Sequence, residues 1–206
     1  TNTTASNNIA VGKNTLGLNT TGASNVAVGA SALDANTTAS NNVGIGLNAA
    51  GGTTTGGNNV AIGTNSLLTN TTGASNVSIG TYTLNANTTA SNNTAVGYAT
   101  LITNTTGSEN TGLGHNALYG TTTGTGNTGI GQGALQTNTT GGTNTAVGQG
   151  SLALNTTASN NVAVGKNTLA ANTTGSNNTA LGIQALDGNT TGSENVGIGS
   201  NALGSN

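Results

Sequence analysis

Cysteine, proline, methionine, phenylalanine and tryptophan are all missing from this chain of 206 residues, and three tyrosines are its only large aromatic residues. Each absence removes a possibility. Without cysteine there is no disulfide framework and no thiolate metal site, so the composition suits any redox compartment. Without large aromatics the apolar material is nearly all Val, Ile, Leu and Ala, which makes a thin core. Charge is scarce too: only 3% of residues are charged, Lys13 and Lys166 are the only basic ones, and the net charge is -2. Two lysines cannot neutralise a run of phosphates, which argues against nucleic acid as a partner. No apolar stretch approaches the roughly 20 residues of a membrane-spanning helix, so no span is expected in this segment. The chain opens at Thr1 with no initiator methionine and no signal-like segment, and reads as processed or as a window on something longer, with open ends that other subunits would cover.

What is present is Gly, Asn, Thr, Ser and Ala in a fixed order. Low charge with many polar residues can mean disorder, but disordered chains are usually richer in charge and proline and lack an apolar period. Here the period is strict. Aligned on Asn-x-x-aliphatic-Gly, Asn falls at 8, 25, 42, 59, 76, 93, 110, 127, 144, 161, 178 and 195, a spacing of 17 without insertion. A 7-residue partial coil is followed by eleven full coils over 8–194 and a partial coil over 195–206, so residues 1–206 form a single repeat array. The unit reads N-[VIT]-[AGS]-[VIL]-G-x-x-[small]-L-x-x-[NT]-T-T-[GA]-x-x. Such regularity marks a solenoid in which each unit is one coil stacked on the last.

Unit positions 2 and 4 are β-branched or aliphatic with a small residue between them, as in Val162-Ala163-Val164. Period two means strand, and no segment carries apolar residues at helical spacing. The expected fold is therefore all-β, a parallel β-solenoid or β-roll of about twelve 17-residue coils. Each coil is expected to hold two short strands, over unit positions 1 to 4 and 7 to 14. Glycine fills position 5 in all twelve coils, as required where φ is positive or another backbone passes close. At position 15 glycine gives way to Ala39, Ala90 and Ala158, so that corner asks for smallness rather than for a special dihedral.

Stacking sets every residue over its counterpart about 4.8 Å away, and like charges in such a ladder repel. The charged residues are spread accordingly: Lys13 and Lys166 share position 6, Asp34 and Asp187 position 10, Glu109 and Glu194 position 17. Those positions should face solvent. The invariant Asn at position 1, and Asn at position 12 in all coils except at Thr53 and Thr121, suit amide ladders along the stack. The Thr-Thr pair should place one hydroxyl outward and one inward or into the turn. Asn-Thr-Thr fits the N-glycosylation sequon, but its repetition on stacked coils reads first as ladder chemistry.

Position 3 is Ala, Gly or Ser in all twelve coils and position 8 is Ala, Ser or Thr, so something must lie close against both. The favoured expectation is that position 3 faces a neighbouring chain. The alternative puts these small residues inside a narrow roll and position 2, which is Thr in five coils, at the interface. Coil three (42–58), with Ala50 in place of the recurring Leu, and coil seven, with Thr121 and extra glycine, should be the weakest.

Catalytic chemistry has no obvious seat. Glu109 and Glu194 are five coils apart, about 24 Å at the usual strand spacing, and neither the pair Asp187 and Glu194 nor the pair His115 and Glu109 has a third partner. No enzyme, no catalytic residue, no metal ligand and no cofactor are expected. Gly-x-Gly stretches such as "GLGHN" and "GIGQG" lack the helix that would receive a pyrophosphate, and two Asp in total cannot furnish calcium-binding turns. Tyr82, Tyr98, His115 and Tyr119 cluster in coils five to seven and are the candidate surface-contact residues, although tolerated substitution at variable positions explains them as well.

"NVAVG" or "NTAVG", followed three residues later by Ala-Leu or Ser-Leu and then by "NTTGSNN", resembles the head repeats of trimeric autotransporter adhesins, whose units centre on a similar Asn-Ser-Val-Ala-Ile-Gly motif. It is also similar to repeats of phage tail-fibre-like and bacterial surface fibres. The resemblance implies a left-handed roll, three chains side by side, and core residues at Val26, Val28, Gly29 and their equivalents. The unit departs from the family in being a uniform 17 residues. The expected function is then a structural fibre segment or adhesin head at a cell surface or on a virion appendage, partnered by itself as a homotrimer or end-to-end filament and by a host-surface or matrix ligand. An ice-binding solenoid with ranked Thr and Asn is the alternative. A carbohydrate-binding or hydrolytic tailspike is disfavoured by the absence of tryptophan and of a workable acid pair.

Overall fold

Val, Ile and Thr favour extended backbone, and they fill unit positions 2 and 4 in every coil except at Leu113 and Leu181. The computed structural model describes residues 4–204. Twelve strands of three residues each, β1 (Ile9–Val11) through β12 (Val196–Ile198), occupy unit positions 2 to 4. All lie in one parallel sheet in sequence order. The register is one coil per step, with Ile9, Ala10 and Val11 over Val26, Ala27 and Val28, and it holds to the far end, where Thr179 pairs with Val196. The fold is an all-β parallel solenoid of 17-residue coils.

The second strand expected over positions 7 to 14 does not form. Positions 7 and 9 have positive φ, as in Ser31 (54°) and Leu33 (51°), and extended backbone cannot pass through them. Two consecutive turns replace the strand: Ala32 N–H donates to Gly29 C=O at 3.3 Å and Asn36 N–H to Leu33 C=O at 3.2 Å. Hydrogen bonding between coils continues regardless, because Ser31 N–H reaches back to Lys13 C=O at 2.8 Å and Leu33 N–H reaches forward to Ala49 C=O at 3.0 Å. The buried backbone is thereby satisfied without a strand.

Those positive dihedrals decide what is inside. In a strand, adjacent side chains point to opposite faces; here Ala32 and Leu33, adjacent in sequence, are both fully buried. Leucine at positive φ costs about 1 to 2 kcal/mol, and complete burial of its side chain gains about 1.5 to 3 kcal/mol. Nine of these leucines, from Leu33 to Leu186, are the largest side chains of the interior.

The leucine column also settles position 3. Ala27, Ala61, Ala146 and Ala163 are fully buried inside the roll, not between chains. A Cβ added to Gly44 would stand 3.1 Å from Leu33 Cγ, and one added to Gly129 would stand 3.0 Å from Leu118 Cγ, so nothing larger than Ala or Ser fits. Buried Ser78 is tolerated because it donates to Thr83 Oγ1 at 2.7 Å and accepts from Ser66 Oγ at 2.8 Å. Val26 and Val28, expected in the core, lie half-buried on the outer face of the sheet instead. The interior is too narrow for them once leucine occupies it.

Both corner expectations match the structure. Gly63 has φ of 128°, and a Cβ there would sit 2.6 Å from the Gly80 carbonyl oxygen. Position 15 has no positive φ, yet Ala39, Ala90 and Ala158 are almost wholly buried.

Amide ladders fill the rest of the interior. At position 1, Asn25 donates its backbone N–H to Asn8 Oδ1 at 2.9 Å and its Nδ2 to Ala39 C=O at 2.9 Å, and its Oδ1 accepts from Asn42 N–H at 2.9 Å. At position 12, Asn36 Nδ2 donates to Asn19 Oδ1 at 2.8 Å and to Ala39 C=O at 3.1 Å. The first Thr of each pair from Thr20 to Thr173 is tied to the next coil, as Thr20 Oγ1 donates to Thr37 C=O at 2.9 Å. The second, position 14, is exposed from Thr21 to Thr191.

Candidate functional site

Unit positions 6 and 7 follow the position-5 glycine and form a convex corner beside the sheet. Position 6 carries Tyr98, His115, Gln132, Gln149 and Lys166 in successive coils. Tyr98 and His115 stack face to face along the rod, with ring centroids 5.4 Å apart and planes 11° from parallel. Tyr82, at position 7 of the coil before, meets Tyr98 edge-on at 6.1 Å and 88°. Edge-to-face and stacked pairs at these separations are favourable aromatic geometries. Three of the four candidate contact residues are therefore one continuous exposed cluster. Tyr119, at position 10, is exposed but makes no ring contact among the described residues.

The corner changes shape immediately beyond His115. Position 7 carries a side chain in every described coil except coils eight and nine, where it is Gly133 and Gly150. Both take φ near 65°, the conformation that Asn adopts elsewhere in the column. The two missing side chains leave a shallow groove of about 220 Å³. It is lined by Asn116 and Asn167 of position 7, by His115, Gln132 and Gln149 of position 6, and by Gln136 of position 10. Gln149 Nε2 donates to Gln132 Oε1 at 3.3 Å. Asn116 Oδ1 is screened from solvent and has no hydrogen-bond partner. Its column explains this: Asn48 Nδ2 donates to Asn65 Oδ1 at 3.0 Å where amides are adjacent, but Asn116 lies between Ala99 and Gly133.

The glutamines and the paired glycines were not singled out from sequence. Reading position 7 down the stack rather than along the chain would have shown two consecutive vacancies next to the aromatics.

Lys13, Lys166, Glu109 and Glu194 are exposed, and Asp34 and Asp187 are half-buried. No group of three or more metal-ligating side chains occurs among the described residues, and no helix there is long and apolar enough to cross a membrane.

A second surface feature is the outer face of the sheet. Position 4 is Val, Ile or Leu in all twelve coils, and position 2 is Val, Ile or Thr. Well inside the ends, Ile45 is 38% and Leu113 47% exposed. No family model, curated protein or solved structure matches this chain.

Proposed function

We propose that the chain is a segment of an extracellular fibre or adhesin head, a repetitive rod that assembles side by side with two further copies of itself. The observation that carries this reading is the uncharged double ridge at positions 2 and 4, aliphatic throughout at position 4 and Val, Ile or Thr at position 2. Parallel sheets are ordinarily covered on both faces, and here the leucine column covers only the inner one. The outer strip is about 58 Å long by about 10 Å wide at standard strand spacings. That is somewhat below the roughly 800 Å² per partner of a standard interface, so flanking corner residues must join it. A narrow strip with two ridges suits three chains around an axis, each ridge meeting a different neighbour. The resemblance to trimeric adhesin heads supports the same count and an extracellular setting.

The experiment is Ile62→Glu with Ile79→Glu, both on the outer ridge. The double variant is expected to keep its β circular dichroism while its sedimentation mass falls from three chains to one. A parent chain that is already monomeric, or a variant with unchanged mass, would refute the assembly.

The exposed rank of Thr at position 14 favours one other reading, ice binding. Position 13 offers no second rank, because its hydroxyls are committed to carbonyls of the next coil, as in Thr139 Oγ1 to Thr156 C=O at 3.0 Å. Thermal hysteresis at micromolar protein would favour ice binding over the fibre.

A further inference from the structure

We propose that the groove over coils eight and nine, with the Tyr98–His115 stack beside it, is a binding site for an uncharged oligosaccharide. It deepens the fibre reading by naming the ligand chemistry, and rests on that reading only for where the ligand is met. The site itself lies within one chain.

The stack covers one face of His115 with Tyr98, and His115 itself lines the groove beside Gln132, which follows it in the same column. An aromatic face set beside amides matches a pyranose ring, which has an apolar C–H face and a polar rim. The absence of tryptophan weighs against sugar binding, but two smaller rings locked in a stack supply a comparable platform. Past it, Gln132, Gln149 and Gln136 present side-chain amides, each with donors and an acceptor, to a space vacated by Gly133 and Gly150. Vicinal hydroxyls need that mixture.

No Lys, Asp or Glu lines the groove, and Lys166 lies one coil beyond Gln149 in the same column, so the ligand is uncharged. A peptide is a poorer fit. Peptides commonly add to an open sheet edge through main-chain hydrogen bonds, whereas here Gly133 N–H already donates to His115 C=O at 3.1 Å and Gly150 N–H to Gln132 C=O at 3.0 Å. Coils rise by about 4.8 Å, close to the length of one pyranose unit, so successive sugars would meet successive coils.

The test uses the intact protein, whose single histidine and three tyrosines give a sparse aromatic NMR spectrum. It is titrated at millimolar concentration with cellopentaose, mannopentaose and chitopentaose in turn. The His115 and Tyr98 ring signals are expected to shift with at least one of them while Tyr119 stays still. Tyr98→Ala and Gln149→Ala should each weaken binding by about tenfold or more. Gly133→Asn with Gly150→Asn restores the residue that the column prefers, so it should fill the groove and abolish the shifts with an unchanged melting profile. No shift with any of the three sugars would overturn the proposal. So would undiminished binding by the Asn double variant, or shifts seen only with a sulfated saccharide or an uncharged peptide. Sedimentation of the same samples separates the two readings: a monomer that binds keeps this site and sinks the fibre assembly, and a trimer without shifts does the reverse.

Discussion

Leu33 is fully buried at a φ of 51°, and its equivalents repeat that conformation from Leu16 to Leu203. Nothing local in the sequence announces this, because leucine disfavours positive φ and only the closed coil makes it worthwhile. The position-5 glycine is the opposite case, legible from its invariance alone. At Gly63 both the 128° dihedral and the 2.6 Å approach to the Gly80 carbonyl forbid a side chain. Gly63→Ala should therefore destabilise by more than about 2 kcal/mol. Gly57 has no positive φ and shares position 16 with Ala23 and Ala74, although a Cβ there would come within 3.0 Å of the Ser40 carbonyl oxygen, so Gly57→Ala should cost much less than Gly63→Ala. Denaturant melts of the two variants, followed by circular dichroism, should part clearly. Equal midpoints would mean that the corner is softer than its geometry indicates.

Within a coil, the amide ladder is the element that composition foretold best, and its two interruptions are visible as defects. Thr53 leaves Asn36 Oδ1 without a partner and meets Asn70 Nδ2 only at 3.4 Å. Thr121 leaves both its own hydroxyl and Asn104 Oδ1 unpaired. A buried unsatisfied polar group costs about 1 to 3 kcal/mol, so Thr53→Asn and Thr121→Asn should each stabilise by about that amount. Hydrogen exchange should be fastest, among internal coils, in coils three and seven, and should slow in coil three when Thr53 becomes Asn; uniform protection along the parent rod would count against the ladder's role. The strand at positions 2 to 4 was legible from its alternation, but its orientation was not. Period two says that Val26 and Val28 share a face opposite Ala27 without saying which face is inside, and only the leucine column, filling the interior from the turns, decides it. The second strand fails because positions 7 and 9 take positive φ, so that adjacent positions 8 and 9 are buried together through a turn, and nothing in the residue types there forbids a strand.

Over the whole molecule, each coil touches only its neighbours, and stability should be close to a sum over coils. Removing residues 59–75, one complete coil, should leave a shorter rod with the same spectrum, whereas removing 16 or 18 residues leaves one coil of about 18 or 16 and should break the ladders at that junction. The solenoid and its 17-residue repeat were readable at this scale because nothing interrupts them. The groove was not, since it exists only where two coils are stacked. What the outer ridge meets can be asked directly, because the chain has no cysteine of its own. Ile79→Cys places a thiol on the aliphatic ridge, and Thr72→Cys places one on the exposed position-14 rank. If a neighbouring chain covers the ridge, the Ile79→Cys chain should sediment as a trimer and its thiol should react with a maleimide much more slowly than that of Thr72→Cys. If the Ile79→Cys chain stays single and its thiol reacts with a maleimide as fast as that of Thr72→Cys, the ridge faces solvent and the rod does not assemble through it.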